Sequence, residues 1–231
     1  MAKLVAAFGS SHSVMLTCTL HDWQNGFKSY DLNGRYFDRA GNPCNYQDLL
    51  ARAPANAAEL VTDDAIARRF GETQDAMAHM KDAIAAARLD ALVICGDDQH
   101  ELFDERRMPA MAVYYGATIR NAARKPLPPE QWYKRAQMRR LEEEHPRDYP
   151  VDSALALHLI NGLMERGFDV AAMSGLDDDE YEGHAFSFVH RFYLHDHVVP
   201  IVPVFLNTFY PPNQPTPARW SSKYSTSTVL P

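Results

Sequence analysis

Residues 92–101 read Leu-Val-Ile-Cys-Gly-Asp-Asp-Gln-His-Glu. Four apolar residues run without alternation, a glycine stops them, and polar residues follow. An unbroken apolar run of this length marks a strand buried on both faces. Leu4–Phe8 has the same form: it ends at Gly9 and opens into Ser10-Ser11-His12-Ser13. Between the two runs, Thr62-Asp63-Asp64 starts a helix with acids in its first turn. Ile66, Phe70, Met77, Met80 and Ile84 carry that helix at regular spacing to about Arg88. Strand, helix, strand is thus the opening rhythm.

The rhythm continues outward. Met111–Tyr115 is a further strand. Pro128-Pro129 opens a charged helix to about Glu144, which Pro146 stops. Asp152-Ser153 caps another helix, and Gly167 fits its end. Asp169–Met173 and Val198–Phe205 read as strands. Residues 21–62 lack a sustained period and are expected to hold loops, turns and a short helix at most. The expected fold is therefore α/β: a single domain over residues 1–219, with a central mixed sheet flanked by helices. An irregular Ser/Thr-rich tail is expected over 220–231.

Composition narrows the function. The chain has 231 residues, with Lys+Arg 23 against Asp+Glu 30 and a net charge of −7. Phosphate binding takes a basic surface, so a nucleic-acid partner is not expected. A membrane span needs ~20 apolar residues, and Pro200 and Pro203 interrupt the longest run here, Val198–Leu206. Leu4–Phe8 is too short for a secretory signal. Cys18, Cys44 and Cys95 are far apart and odd in number, which points to reduced thiols and a cytoplasmic protein.

In open α/β sheets, sites form beyond the carboxyl ends of strands. Three polar segments are expected there. His12 follows the first strand and is either a metal-binding imidazole or a structural loop histidine. Asp97-Asp98-Gln99-His100-Glu101 offers nitrogen and oxygen ligands of the kind divalent metals take, or is a solvated acidic turn. Glu182-Gly183-His184 carries a general base or a plain loop histidine. His195-Asp196-His197 puts two histidines on one face of any strand it belongs to and is an exposed connector or, as the lesser alternative, a metal-binding pair; His190, His158, His145, His79 and His21 read as surface or core packing. GxGxxG, Walker, HExxH and GxSxG patterns are absent from the sequence.

Taken in order, three segments resemble a known family. They are Phe8-Gly9-Ser10-Ser11-His12-Ser13-Val14-Met15-Leu16, then Val93–Phe103, then Gly183-His184 ahead of a strand and proline loop at Pro200–Pro212. Together they resemble the class III extradiol ring-cleavage dioxygenases of the protocatechuate 4,5-dioxygenase β-subunit type. The branch acting on gallate-like and 3-O-methylgallate-like substrates looks nearest. The resemblance runs from residue 3 to about Arg219.

It implies a non-haem Fe(II) enzyme of aromatic-compound catabolism, lignin-derived aromatics included, that inserts O₂ into a catechol-type aromatic acid. Two histidines and a glutamate hold the iron in that family. By matching position His12 is the first ligand and His184 the acid/base histidine. Aligning Asp98 and Phe103 without a gap places Gln99 at the second ligand position with His100 beside it, so both are carried as metal ligands. No residue matches the family's glutamate, which lies in a later segment; the chain looks C-terminally truncated against that pattern. Glu182 and Glu101 are conceivable substitutes. The implied partners are the substrate and O₂, with a homo-oligomer or a complex with a small helical subunit. The alternatives are a non-catalytic member of the same fold that binds a ligand or partner, and a metal-dependent hydrolase.

Overall fold

The computed structural model describes residues 2–123, 127, 131–194 and 197–208. They fall into two units. One comprises Ala7–Ala83 with Lys125–Arg140; the other comprises Met1–Ala6, Ile84–Arg124 and Leu141–Pro231. Pro128-Pro129, His195-Asp196 and the 220–231 tail lie outside the described residues.

The unit around residues 7–83 is mostly helical. A 3₁₀ turn at Val14–Thr17 precedes a π-helical stretch, Asp22–Phe27, which runs straight into α1 (Lys28–Leu32). Next comes a hairpin of β1 (Arg35–Phe37) and β2 (Pro43–Asn45), paired antiparallel with Arg35 opposite Asn45. Asp38 closes its turn, accepting from the backbone of Ala40 and Asn42, each at 2.9 Å. Asn45 then caps α2 (Tyr46–Ala51) reciprocally: its side chain accepts from Asp48 N–H at 2.9 Å while the Asp48 carboxylate accepts from Asn45 N–H at 3.0 Å. That box satisfies two of the donors a helix start leaves open. The short α3 (Ala57–Leu60) leads to α4 (Asp63–Ala86). The expected long helix is thus present, and its first turn carries Asp63 and Asp64. Trp23 packs edge-on to Phe70 of α4 at 5.4 Å between ring centres. Residues 21–62 are therefore more ordered than their sequence suggests, because capping residues and aromatic contacts replace apolar periodicity.

The other unit carries the sheet. Its strands are β3 (Leu92–Asp97) and β4 (Met111–Tyr114), then a separate antiparallel hairpin of β5 (Thr118–Asn121) and β6 (Arg147–Pro150). α5 (Trp132–Leu141) lies between those two hairpin strands in sequence. α6 (Ser153–Glu165), β7 (Ala171–Met173), α7 (His184–Phe188), a π-helical stretch Val189–Leu194 and β8 (Ile201–Leu206) complete it. The four-stranded sheet runs β3-β8-β4-β7. β3 with β8 and β4 with β7 are parallel, while β4 and β8 are antiparallel, so the sheet is mixed as expected. Central β8 is buried at Ile201 through Phe205, which is why its sequence is an unbroken apolar run. Asp152 caps α6, accepting from Leu155 N–H at 2.9 Å. Ala156 and Ile160 of α6 pack on Val113, Val202 and Val204 of the sheet. Each of these valines and Ile160 contributes roughly 1.5–3 kcal/mol from area removed from water, and Ala156 less.

One expected strand is missing. Leu4–Phe8 joins no ladder, and Leu4 and Val5 are 80% and 60% exposed. An apolar run becomes a strand only when a neighbour takes its backbone groups, and among the described residues none pairs with it. No helix of the described residues is long and apolar enough to cross a membrane.

Candidate functional site

The site grows from the end of β3. Beyond Asp97 the chain turns sharply around the Asp98 carboxylate, which accepts from the N–H groups of Leu102 (2.9 Å), Phe103 (3.2 Å) and Glu101 (3.3 Å). His100 takes a left-handed backbone conformation, φ 61°, to complete the turn. Asp98 is buried, and burial pushes its carboxyl above the usual range, with Glu101 adding to the push against those three hydrogen bonds. Asp98 therefore builds the loop. Phe103 meets Phe205 of β8 edge-on at 5.6 Å, which ties the far side of the loop to the sheet.

The second element is α7, whose first residue is His184. Gly183 precedes it as the N-cap in extended conformation. α7 lies directly on β3: a Cβ placed on Gly96 would stand 2.6 Å from Ala185 Cβ. Only glycine at that position allows so close an approach. The approach carries His184 to the loop after β3. Glu101 accepts from His184 N–H with both carboxylate oxygens, at 3.1 and 3.0 Å, and its Oε2 lies 2.7 Å from His184 Nδ1. The carboxylate fixes the ring and favours the tautomer with hydrogen on Nδ1, so chemistry falls to Nε2. A carboxylate oxygen of Asp97 and a ring nitrogen of His184 come within 4.8 Å of one another. One hard oxygen and one imidazole nitrogen at that separation suit a divalent ion or a proton-transfer pair.

Behind this pair stands a buried network. Glu182 and His190 have side chains 0% and 1% exposed, and Glu182 Oε2 lies 2.7 Å from His190 Nδ1. Glu182 N–H also donates to Arg120 of β5 at 2.8 Å. The Tyr149 ring stacks on the His190 ring at 3.7 Å, tilted by only 7°. Tyr149 donates its hydroxyl to Glu143 at 2.5 Å, and Arg191 pairs with Glu143 at 2.7 Å. Burial and the neighbouring Glu143 carboxylate together push the Tyr149 hydroxyl well above its usual range. Burial alone would raise the Glu143 carboxyl, but the Tyr149 hydroxyl, Arg191 and Arg147 overcome it and hold it below the usual range. The turn Glu182–His184 is thus bolted to β5, to the π-helical stretch and to Glu101. Its approach is held as well: Arg107 pairs with Glu180 and reaches Asp177 at 3.8 Å.

The sequence-predicted residues lie in different surroundings. His184 stands at the centre. Gln99 is turned to Asp97, donating its side-chain N–H at 3.0 Å. His100 is exposed, with Nε2 3.8 Å from Glu105. His12 belongs to the helical unit, half-buried in the loop before Val14–Thr17. Glu182 is committed to His190, and His190 is a core partner rather than passive packing. Asp97 and Glu101 enter the sequence reading only as candidate oxygen ligands of the strand-end loop, Glu101 also as a conceivable substitute for the glutamate, and the pairing of Glu101 with His184 is not legible there. Their signal was a carboxylate at each end of that loop, one closing the strand and one facing a histidine of another segment. No protein-family model matches the chain, and no curated protein matches it.

Proposed function

We propose that this chain is a non-haem Fe(II)-dependent extradiol dioxygenase acting on a catechol-type aromatic acid, gallate-, 3-O-methylgallate- or protocatechuate-like. The observation that carries the reading is the Glu101–His184 pair, 2.7 Å between Oε2 and Nδ1, beside Asp97 at the end of β3. It supplies an oriented acid/base imidazole next to an oxygen ligand, where α/β sheets place their sites. The resemblance of the three sequence segments supports the rest.

The donors fit a divalent iron in kind. Asp97 is a hard carboxylate, and the resemblance assigns His12 and either Gln99 or His100 as further donors. When bound, the iron supplies open positions for the catechol oxygens and for O₂. The chain's own part is proton management. With Nδ1–H donated to Glu101, the Nε2 lone pair accepts the proton of a ring hydroxyl. The imidazolium so formed is stabilised by the Glu101 carboxylate. The proton is then returned from Nε2 to the opening ring, so His184 serves as base and afterwards as acid.

A second reading has its own support. Gln99 is engaged by Asp97 and His100 sits beside Glu105, which favours a non-catalytic member of the same fold that binds a ligand without turnover. The experiment is anaerobic Fe(II) reconstitution, followed by O₂-electrode traces with gallate, 3-O-methylgallate and protocatechuate. Uptake with a new ring-fission absorbance is the expected result. Folded, iron-loaded protein without uptake would select the non-catalytic reading.

A further inference from the structure

The helical unit contains an open cleft of about 710 Å³ that the proposed reaction does not use. Its volume falls in the range of ~300–1,000 Å³ that small-molecule sites occupy. One side is the π-helical stretch Asp22–Phe27 with α1; π-helical turns are rare and cluster at functional sites. The other side is the first residue of α5, Trp132.

The aromatic wall is built into the backbone. A Cβ on Gly26 would fall on the Trp132 indole, so that ring lies directly against the π-helical backbone. Phe27 and Tyr133 hold Trp132 edge-on at 5.1 and 5.9 Å, and Tyr133 holds Tyr30 at 5.6 Å. Trp132 and Tyr30 both line the cleft, and Tyr30 is 55% exposed. Fixed, solvent-facing aromatic rings offer flat contact area at little cost in side-chain entropy.

The cleft carries one carboxylate and one guanidinium. Its acid, Asp22, already accepts from Thr19 N–H at 3.0 Å and from the Thr19 hydroxyl at 2.8 Å. Arg35 also lines the cleft, and its guanidinium makes no ion pair or side-chain hydrogen bond among the described residues. A guanidinium beside aromatic faces recognises a planar carboxylate through paired N–H donors. We propose that this cleft is a binding site for a small planar aromatic carboxylate. The inference stands apart from the dioxygenase reading, since it needs neither iron nor His184.

The test uses the ¹⁵N-labelled full chain without metal. It is titrated with benzoate, with neutral benzamide and with non-planar cyclohexanecarboxylate, and the Trp132 indole N–H resonance is followed, assigned through Trp132→Phe. Benzoate is expected to give a saturable shift. Benzamide and cyclohexanecarboxylate should bind at least tenfold more weakly, and Arg35→Gln should weaken benzoate by a similar factor. Arg35 is exposed, so that variant keeps the fold. Absence of saturation, equal binding of the three probes, or unchanged benzoate binding by Arg35→Gln each overturns the proposal. No turnover enters the readout, so failure here and failure of the dioxygenase reading are separate results.

Discussion

Glu101 gives both carboxylate oxygens to a single residue: each accepts from His184 N–H, and Oε2 also meets His184 Nδ1 at 2.7 Å. One side chain thereby fixes the position of the α7 backbone and the orientation of the imidazole it carries. Removing its charge should separate catalysis from folding. Glu101→Gln keeps the hydrogen-bond acceptor but not the anion, and a loss of about 10–100-fold in turnover is expected, the range seen when an outer partner of a functional histidine is lost. Oxygen uptake and circular dichroism on the same preparation check it. Unchanged uptake would remove Glu101 from the mechanism.

His184→Phe keeps a planar ring at a buried position and removes Nε2. Turnover should vanish while bound Fe(II), measured by chelator release, remains. Retained turnover in this variant would show that another group handles the proton.

The Glu182–His190 pair is buried on both sides. Leaving one member of a buried pair alone costs roughly 3–5 kcal/mol. His190→Leu should therefore lower the urea midpoint sharply, whereas His190→Gln, which can still donate to Glu182, should lose much less. Equal midpoints for the two variants would deny the pair its structural weight.

Gly96→Ala places a methyl against Ala185. Overpacking of this kind costs about 1–3 kcal/mol. Because it pushes on α7 next to His184, the turnover number should fall by more than the stability loss alone predicts. Gly175→Ala, where no atom lies within 4 Å of the added carbon, is the control.

Glu143 sets an acid limit. Its carboxyl is held below the ordinary value, so the folded state binds its proton less readily than the unfolded state does. Stability from this group is complete above the unfolded value of about 4.3 and is lost as pH falls through the lower, folded value. Glu143→Gln should flatten that part of a denaturation-versus-pH curve and remove the anion that faces Arg191. A curve of unchanged slope between pH 5 and 3 would contradict the assignment.

What the sequence made legible follows from which forces are local. β8 announces itself because a strand covered on both faces must be apolar throughout, whereas β3 carries the same apolar run as an edge strand with Val93 and Cys95 exposed, so the expectation of two covered faces fails there. α6 announces itself through the Asp152 cap and its two-turn stripe. The β5–β6 hairpin escaped notice because Thr-Ile-Arg-Asn and Arg-Asp-Tyr-Pro carry no apolar alternation; their pairing closes over a long insertion. Leu4–Phe8 misled for the opposite reason: it has the composition of a strand and no partner strand among the described residues. His184 was legible as a candidate site histidine, while Glu101, which orients it, is 83 positions away. His190 looked like filler because its meaning depends on a single carboxylate brought to it by the fold.

The register of β3 against β8 has a consequence in time. Leu92 pairs with Ile201 and Asp97 with Leu206. The acidic loop is therefore synthesised near the middle of the chain, and its supporting strand arrives only after α6 and α7 have been made. Emerging from the ribosome, Asp97 and Glu101 wait, without their sheet neighbour, through the translation of roughly half the protein. Long-range parallel pairing of this sort is slow and leaves apolar edges open meanwhile. Nascent chains should accordingly be held by chaperones until β8 is released, and the loop end of β3 should become protease-resistant last.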